Sequence, residues 1–294
     1  MIQDTTVKVS DIIPIPIPYV DFGGTGQVIH FAHANGYPPE TYQPMIDHMI
    51  FAYKVLAMRM RPLWLGIQPE SIHNWLPLSE DLAVFLDQHS LQSIIGVGHS
   101  MGGIATLRLA LDQPSRFRAL VLIDPVLFPP WMIRLWNIIH KLGLSNKTHP
   151  LIYAAQKRKE LFDTKQAMYT NYRQKKVFRF LDDHSLQAYV DAIGVSTTDG
   201  KIKLAYPRQW EVHIYITGIL ADMDIWQRLH NLHVPLLIIR GSESDTFWAI
   251  TAAKLKRVLP SAQIRTINEA THLVPLEKPE SVSQEIISFL ANIN

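Results

Sequence analysis

Cysteine is absent from the 294 residues, which excludes disulfide bridges, thiolate nucleophiles and cysteine-bound metal. A charge surplus is also missing. The 28 Lys and Arg against 26 Asp and Glu leave a formal +2, too little to give an electrostatic reason for nucleic acid or an anionic membrane as partner. The densest basic stretch, QKRKELFDTKQ followed by NYRQKKVFRF, is broken by Glu160 and Asp163 and reads as solvated helix faces. No apolar run nears the roughly 18 residues of a membrane span. The N-terminal MIQDTTVKVSDI has no apolar signal core, so no membrane span and a cytoplasmic location are expected. There is no internal repeat and no low-complexity segment. A phosphate cradle is excluded as well. The glycine cluster DFGGTG (21–26) runs into strand-like QVIHFAHA, whereas such a cradle must open a helix; a hairpin turn is expected there instead.

What is present is alternation. Short apolar runs alternate with amphipathic ones, as in an α/β domain with a mainly parallel sheet. DIIPIPIPYV carries prolines at 14, 16 and 18 and belongs on a sheet edge or in extended coil. Strands are then expected at QVIHFA, YKVLAMRM, SIIGVG, RALVLIDP, PLLIIRG and AQIRTI. Helices are expected at PPETYQPMIDHMI, LPLSEDLAVFLDQH, MGGIATLRLALDQP, FWAITAAKLKRVL and PESVSQEIISFLANI. Between Pro125 and about Asn231 the alternation fails. Three helical stretches are legible there, no convincing strand is, and KIKLAYPRQWEVHIYITG is ambiguous. A mostly helical insertion is expected, because a structureless loop of that length would be improbable.

The densest chemical signal is GVGHSMGG, residues 96–103. A strand delivers the chain to Ser100 and a helix starts at once, the setting of the G-x-S-x-G nucleophile elbow. The serine occupies the apex of a strained turn whose neighbours two residues away must be small. The Met101 amide, at the helix start, points to where an oxyanion would form. A serine that merely caps the helix is the plainer alternative. His99 adjoins Ser100, yet successive residues at a sharp turn point apart, so it is expected to pack beneath the bend.

On these residues the chain resembles the α/β-hydrolase superfamily. HFAHANGYPPETY is similar to that family's oxyanion loop and THLVPLEKPE to its histidine loop, and the resemblance covers roughly residues 20–125 and 234–294. It implies an α/β-hydrolase fold: a mostly parallel eight-stranded sheet flanked by helices, formed by a core of residues 1–125 and 232–294. Residues 126–231 then correspond to a mainly helical cap (lid). It also implies a serine, acid and histidine triad in that chain order. A serine hydroxyl needs a base, and His272, in the loop before the last helix, fits that role. Asp245 in IIRGSESDTFW matches the family's acid position, and Asp124 in LVLIDP lies where some members carry the acid instead; Asp245 is preferred. Glu243 lies two residues from it. The second oxyanion amide falls in His33-Ala34-Asn35-Gly36, where Ala34 replaces the family's usual glycine; Asn35 is preferred, with Ala34 second.

The 13 histidines raise metal as a competing use. His30 with His33 and His230 with His233 are spaced by three, but the first pair lies on or beside a strand, where that spacing puts them on opposite faces, and no carboxylate completes either set, so no metal is expected. Trp131, Met132 and Trp136, with Ala34 and His33, are candidate pocket residues, and Trp64 and Trp75 are further ones. The expected activity is that of a serine hydrolase, a carboxylesterase-like enzyme cleaving small to medium esters through an acyl-enzyme, with no cofactor. Hydrolysis of a carbon–carbon bond in a diketone by the same triad, and a non-catalytic binding module on the same fold, are the alternatives. Acyl preference and oligomeric state are not legible.

Overall fold

The structure, a computed structural model, describes residue 13 and residues 16–293. Part of the proline-rich run, residues 11, 12, 14 and 15, lies outside them. The chain enters the sheet at β1 (Tyr19–Gly23), then forms β2 (Gln27–Ala32), β3 (Tyr53–Met58), β4 (Ile94–His99) and β5 (Phe117–Ile123). After a long insertion carrying β6 (Leu161–Phe162), β7 (Gly194–Ser196) and β8 (Ile202–Leu204), it returns to the sheet as β9 (Leu236–Gly241) and β10 (Gln263–Ile267).

The main sheet has seven strands among the described residues, in the order β1-β3-β2-β4-β5-β9-β10. The β1 strand is antiparallel to β3 and the other pairs are parallel. The architecture is the α/β-hydrolase fold, with seven described strands where eight were expected. β4 is buried at all six positions, as a central parallel strand covered on both faces must be. Helices Leu76–Gln88, Met101–Asp112 and Pro279–Ala291 bury apolar stripes such as Leu78, Leu82, Phe85 and Leu86 against it.

Two expectations fail. The DFGGTG loop is not a hairpin turn, because β1 pairs with β3 and not with β2. Gly24 and Gly26 sit at φ +82° and +86°, where a Cβ would meet the Tyr53 and Ala52 carbonyl oxygens; they let the loop cross over the start of β3. The insertion also contains strands. β6, β8 and β7 form a small antiparallel sheet among seven helices that begin with Pro130–Lys141 and end with Met223–Arg228. A local signal for it existed: Asp199-Gly200, with Gly200 at φ +81°, is a hairpin-type dipeptide. Ile202 and Leu204 are buried and Lys203 is exposed, which is strand alternation over too few residues to stand out. The ambiguous KIKLAYPRQWEVHIYITG resolves into β8 and the helix Arg208–Thr217, divided by Pro207.

Candidate active site

Ser100 ends β4 and begins the helix Met101–Asp112 with φ +56°, a left-handed conformation that costs energy for a side chain bearing a Cβ. The glycines make the bend possible. A Cβ on Gly98 would lie 2.6 Å from the Gly102 carbonyl, and one on Gly102 would lie 2.2 Å from the Ala32 oxygen. The bend is held by the Ser100 N–H, which donates to the Ile123 oxygen at 3.0 Å.

His272 comes from the loop between β10 and the short helix Val274–Glu277. Its Nε2 is 3.0 Å from Ser100 Oγ and its Nδ1 is 2.9 Å from Asp124 Oδ1. A carboxylate only accepts, so Nδ1 carries the proton and the bare Nε2 accepts from the serine hydroxyl. Glu277 steadies the loop: its carboxylate takes the Thr271 N–H and the Thr271 hydroxyl, each at 2.6 Å.

The carboxylate against His272 is therefore Asp124, and the preference for Asp245 is corrected. Asp124 follows β5 at φ +41° and is wholly buried. The Gly241 N–H donates to its Oδ2 at 3.0 Å and the Ser244 hydroxyl to its Oδ1 at 2.6 Å. Asp245 is exposed; it lies on the cavity wall and accepts from the Thr246 hydroxyl at 3.3 Å. β5 and β9 are neighbours, so both acids leave the sheet at the same edge, and side-chain direction separates them. Glu243 points away to Arg179. Ser244, which nothing in the sequence marks, links the two arms by binding Asp124.

His99 lies beneath the bend, wholly buried, and burial, then the nearby His272, hold its imidazole well below the usual histidine range. Its Nε2 is 2.9 Å from the His272 carbonyl oxygen, so Nε2 carries the proton and Nδ1 accepts from the Tyr42 hydroxyl at 2.8 Å. Tyr42 Oη in turn accepts the Ala34 N–H at 3.2 Å. One buried pair thus ties the 33–36 loop to the histidine loop, and Tyr42 is a residue the sequence gave no reason to single out.

The same bond occupies the Ala34 amide. Asn35 is held through its side chain: Nδ2 donates to the Glu211 carbonyl oxygen at 3.1 Å, and the Tyr206 hydroxyl donates to Oδ1 at 2.8 Å. Burial pushes the Tyr206 hydroxyl well above its ordinary range and keeps it a donor. Met101, as the first helical residue, has an N–H with no acceptor inside the helix. Both Asn35 and Met101 line the cavity that opens onto Ser100.

That cavity has a volume of about 900 Å³. Its roof is supplied by the insertion, with Met132, Trp136, Ile214 and Ile219, while Ser100, His272 and Ala34 form the floor. Trp75 lines it too. Two pocket expectations are corrected. His33 is wholly buried outside the cavity, its Nδ1 donating to the Ala34 oxygen and its Nε2 accepting the Met60 N–H. Trp131 is 54% exposed and is not among the residues lining the cavity, to which the same helix contributes Met132 and Trp136. Trp64 is buried elsewhere, its indole N–H on the Arg59 oxygen. Among the described residues no three His, Asp or Glu side chains are grouped to hold a metal ion.

Residues 31–285 match the model of the alpha/beta hydrolase family. The chain belongs to this family. Among its relatives is the mouse sn-1-specific diacylglycerol lipase ABHD11, 25% identical over 292 residues that span 96% of this chain and 87% of the relative. Another is esterase YbfF of Escherichia coli K12, 24% identical over 226 residues, 76% of this chain and 78% of the relative. Among solved structures, E-2-(acetamidomethylene)succinate hydrolase superposes with a TM-score of 0.72 at 18% identity, covering 93% of this chain and 94% of that one. At that identity the superposition speaks for the hydrolase fold alone.

Proposed function

We propose that this alpha/beta hydrolase is a serine hydrolase of carboxylic esters, with Ser100 as nucleophile, His272 as base and Asp124 as its orienting acid. One observation carries the reading: the continuous path from the Ser100 hydroxyl to the bare Nε2 of His272, and from its Nδ1–H to a buried carboxylate. Ser100 Oγ attacks the ester carbonyl carbon as its proton passes to Nε2. The new imidazolium is stabilised by Asp124, which keeps its own charge. The amides of Met101 and Asn35 hold the oxyanion. Collapse breaks the bond to the alkoxide, which takes the proton back from His272, and water repeats the sequence on the acyl-enzyme. The insertion, residues 126–231, serves as the cap, and its apolar wall accepts the acyl chain. The esterase and lipase names of the relatives support the ester class.

A fluorophosphonate or sulfonyl fluoride probe with mass spectrometry, beside a panel of chromogenic esters of increasing acyl length, tests the reading. An adduct on Ser100 and ester turnover are expected. Neither adduct nor turnover would leave a binding module on a hydrolase fold.

A further inference from the structure

The whole-chain charge balance conceals a local imbalance. From Pro125 to Lys159 there is no Asp or Glu, while Arg134, Lys141, Lys147, Lys157, Arg158 and Lys159 are cationic. Arg158 is paired with Glu211; Arg134, Lys141 and Lys147 are exposed. The same stretch exposes apolar surface in a pattern. Trp131, Leu135, Ile138 and Leu142 are 54%, 48%, 56% and 66% exposed, although each is a residue type that folding ordinarily buries. At about 100° per residue they fall within about 60° of one another along the helix Pro130–Lys141 and its C-cap.

The two borders of this stripe differ. On one side Met132, Trp136 and Ile139 turn into the cavity. On the other, Arg134 and Lys141 rim a surface groove of about 470 Å³ whose apolar lining includes Ile138, Leu220 and Met223. The stripe begins at the cavity rim, where the Trp131 ring lies 6.2 Å from that of the lining residue Trp248. Cations beside an exposed apolar face are the pattern of a helix that lies in a lipid interface. A second copy fits worse. Two-fold pairing would set each patch on its own counterpart, and residues 125–159 offer no carboxylate to meet the cations.

We propose that the helix Pro130–Lys141 seats this protein on an anionic lipid bilayer, with Trp131, Leu135, Ile138 and Leu142 in the acyl boundary and Arg134 and Lys141 on the headgroups. The cavity mouth then faces the lipid, and an apolar ester enters it without crossing water; only this last clause rests on the hydrolase reading.

Co-sedimentation with phosphatidylcholine vesicles, with and without about a third phosphatidylglycerol, tests the docking. The protein sediments with the anionic vesicles and is released as salt rises from about 50 to about 500 mM. Leu135→Asp/Leu142→Asp and Arg134→Glu/Lys141→Glu each weaken binding by about tenfold. Both double variants keep the parental rate on a short soluble ester and lose about tenfold on an apolar ester held in vesicles. Ser100→Ala sediments like the parent, so a failed catalytic reading leaves the binding result standing. Three outcomes overturn the proposal: no sedimentation with anionic vesicles; undiminished sedimentation of both double variants; or a dimer, without vesicle binding, that Leu135→Asp/Leu142→Asp dissociates.

Discussion

The floor and the roof of the cavity are built by different physics. On the floor, Ser100, Asp124 and His99 are buried, and Gly241, Ser244 and Tyr42 satisfy polar atoms around them. Ser100 and Asp124, the proposed nucleophile and acid, both hold positive φ, a strain the surrounding parallel strands over-determine. On the roof, Met132, Trp136, Ile214 and Ile219 offer apolar surface, and the insertion's charged lining residues are Lys176 and Arg179. Polar contacts also join the two, among them the Trp75 indole N–H on the Ile214 oxygen, the His213 ring on the Ile72 oxygen and the Arg228–Asp112 pair. Asn35 is clamped by Tyr206 and Glu211, and Arg108, in the helix after the elbow, binds Asp222 and the Ala221 oxygen in the insertion. A floor of directed bonds sets a reaction. Under the proposed function, the apolar area of the roof would select the acyl group, because dispersion and burial scale with contact area and not with direction.

The contrast can be broken most sharply at the floor. Ser100→Ala and His272→Ala should each lower turnover by about 10⁴- to 10⁶-fold in steady-state assays, and a near-parental rate in either would remove that residue from the chemistry. Asp124→Asn should cost about 10³- to 10⁴-fold, whereas Asp245→Asn, exposed and off the histidine, should change kcat by less than about threefold. Equal losses, or the reverse order, would hand the acid role back to Asp245. On the roof the effect should be smaller and selective. Trp136→Ala should reduce kcat/KM for long acyl esters by roughly tenfold to a hundredfold through lost apolar contact, and for acetate esters by far less. A uniform loss across chain length would show that Trp136 supports the floor as well.

The smallest expected effect is on stability against pH. Burial holds His30 down to about 3 and His33 to about 4, and His99 well below 6.5. Between those values and about 6.5 the unfolded chain binds more protons at these sites than the folded one, so their contribution is present above 6.5 and lost as pH falls. Asp81 and Asp222, raised by burial to about 6, act in the opposite sense between about 4 and 6. Burial also holds His149 down and pushes Glu277 up, so the lowered histidines still outnumber the raised carboxylates and the opposing contributions partly cancel. Urea titrations from pH 6.5 to 4.5 should therefore show a shallow fall, and a rise would mean that the buried carboxylates dominate.

Legibility divided along the same line. The elbow was readable because the collisions that demand small residues, of Gly98 with the Gly102 carbonyl and of Gly102 with the Ala32 oxygen on the adjacent strand, both leave their mark within the five residues of the bend. The choice between Asp124 and Asp245 left none. Each follows an apolar run that forms a central strand, and what separates them is the Gly241 amide and the Ser244 hydroxyl, contributed from more than a hundred residues along the chain. His33 and Trp131 misled for a related reason. Their residue types suit a pocket, but one ring is buried between the Ala34 oxygen and the Met60 N–H and the other is largely exposed.

The sequence by itself determined the alternating α/β order, the glycine-framed bend at Ser100 and the place where a long insertion interrupts the sheet. All three follow from the period and size of neighbouring residues. Only the tertiary structure decided which carboxylate meets His272, which amides the Tyr42–His99 pair and Asn35 hold in place, and which side of the helix Pro130–Lys141 lines the cavity. Those outcomes depend on where strands distant in the chain bring their ends together, and side-chain direction there is fixed by partners that no local pattern encodes.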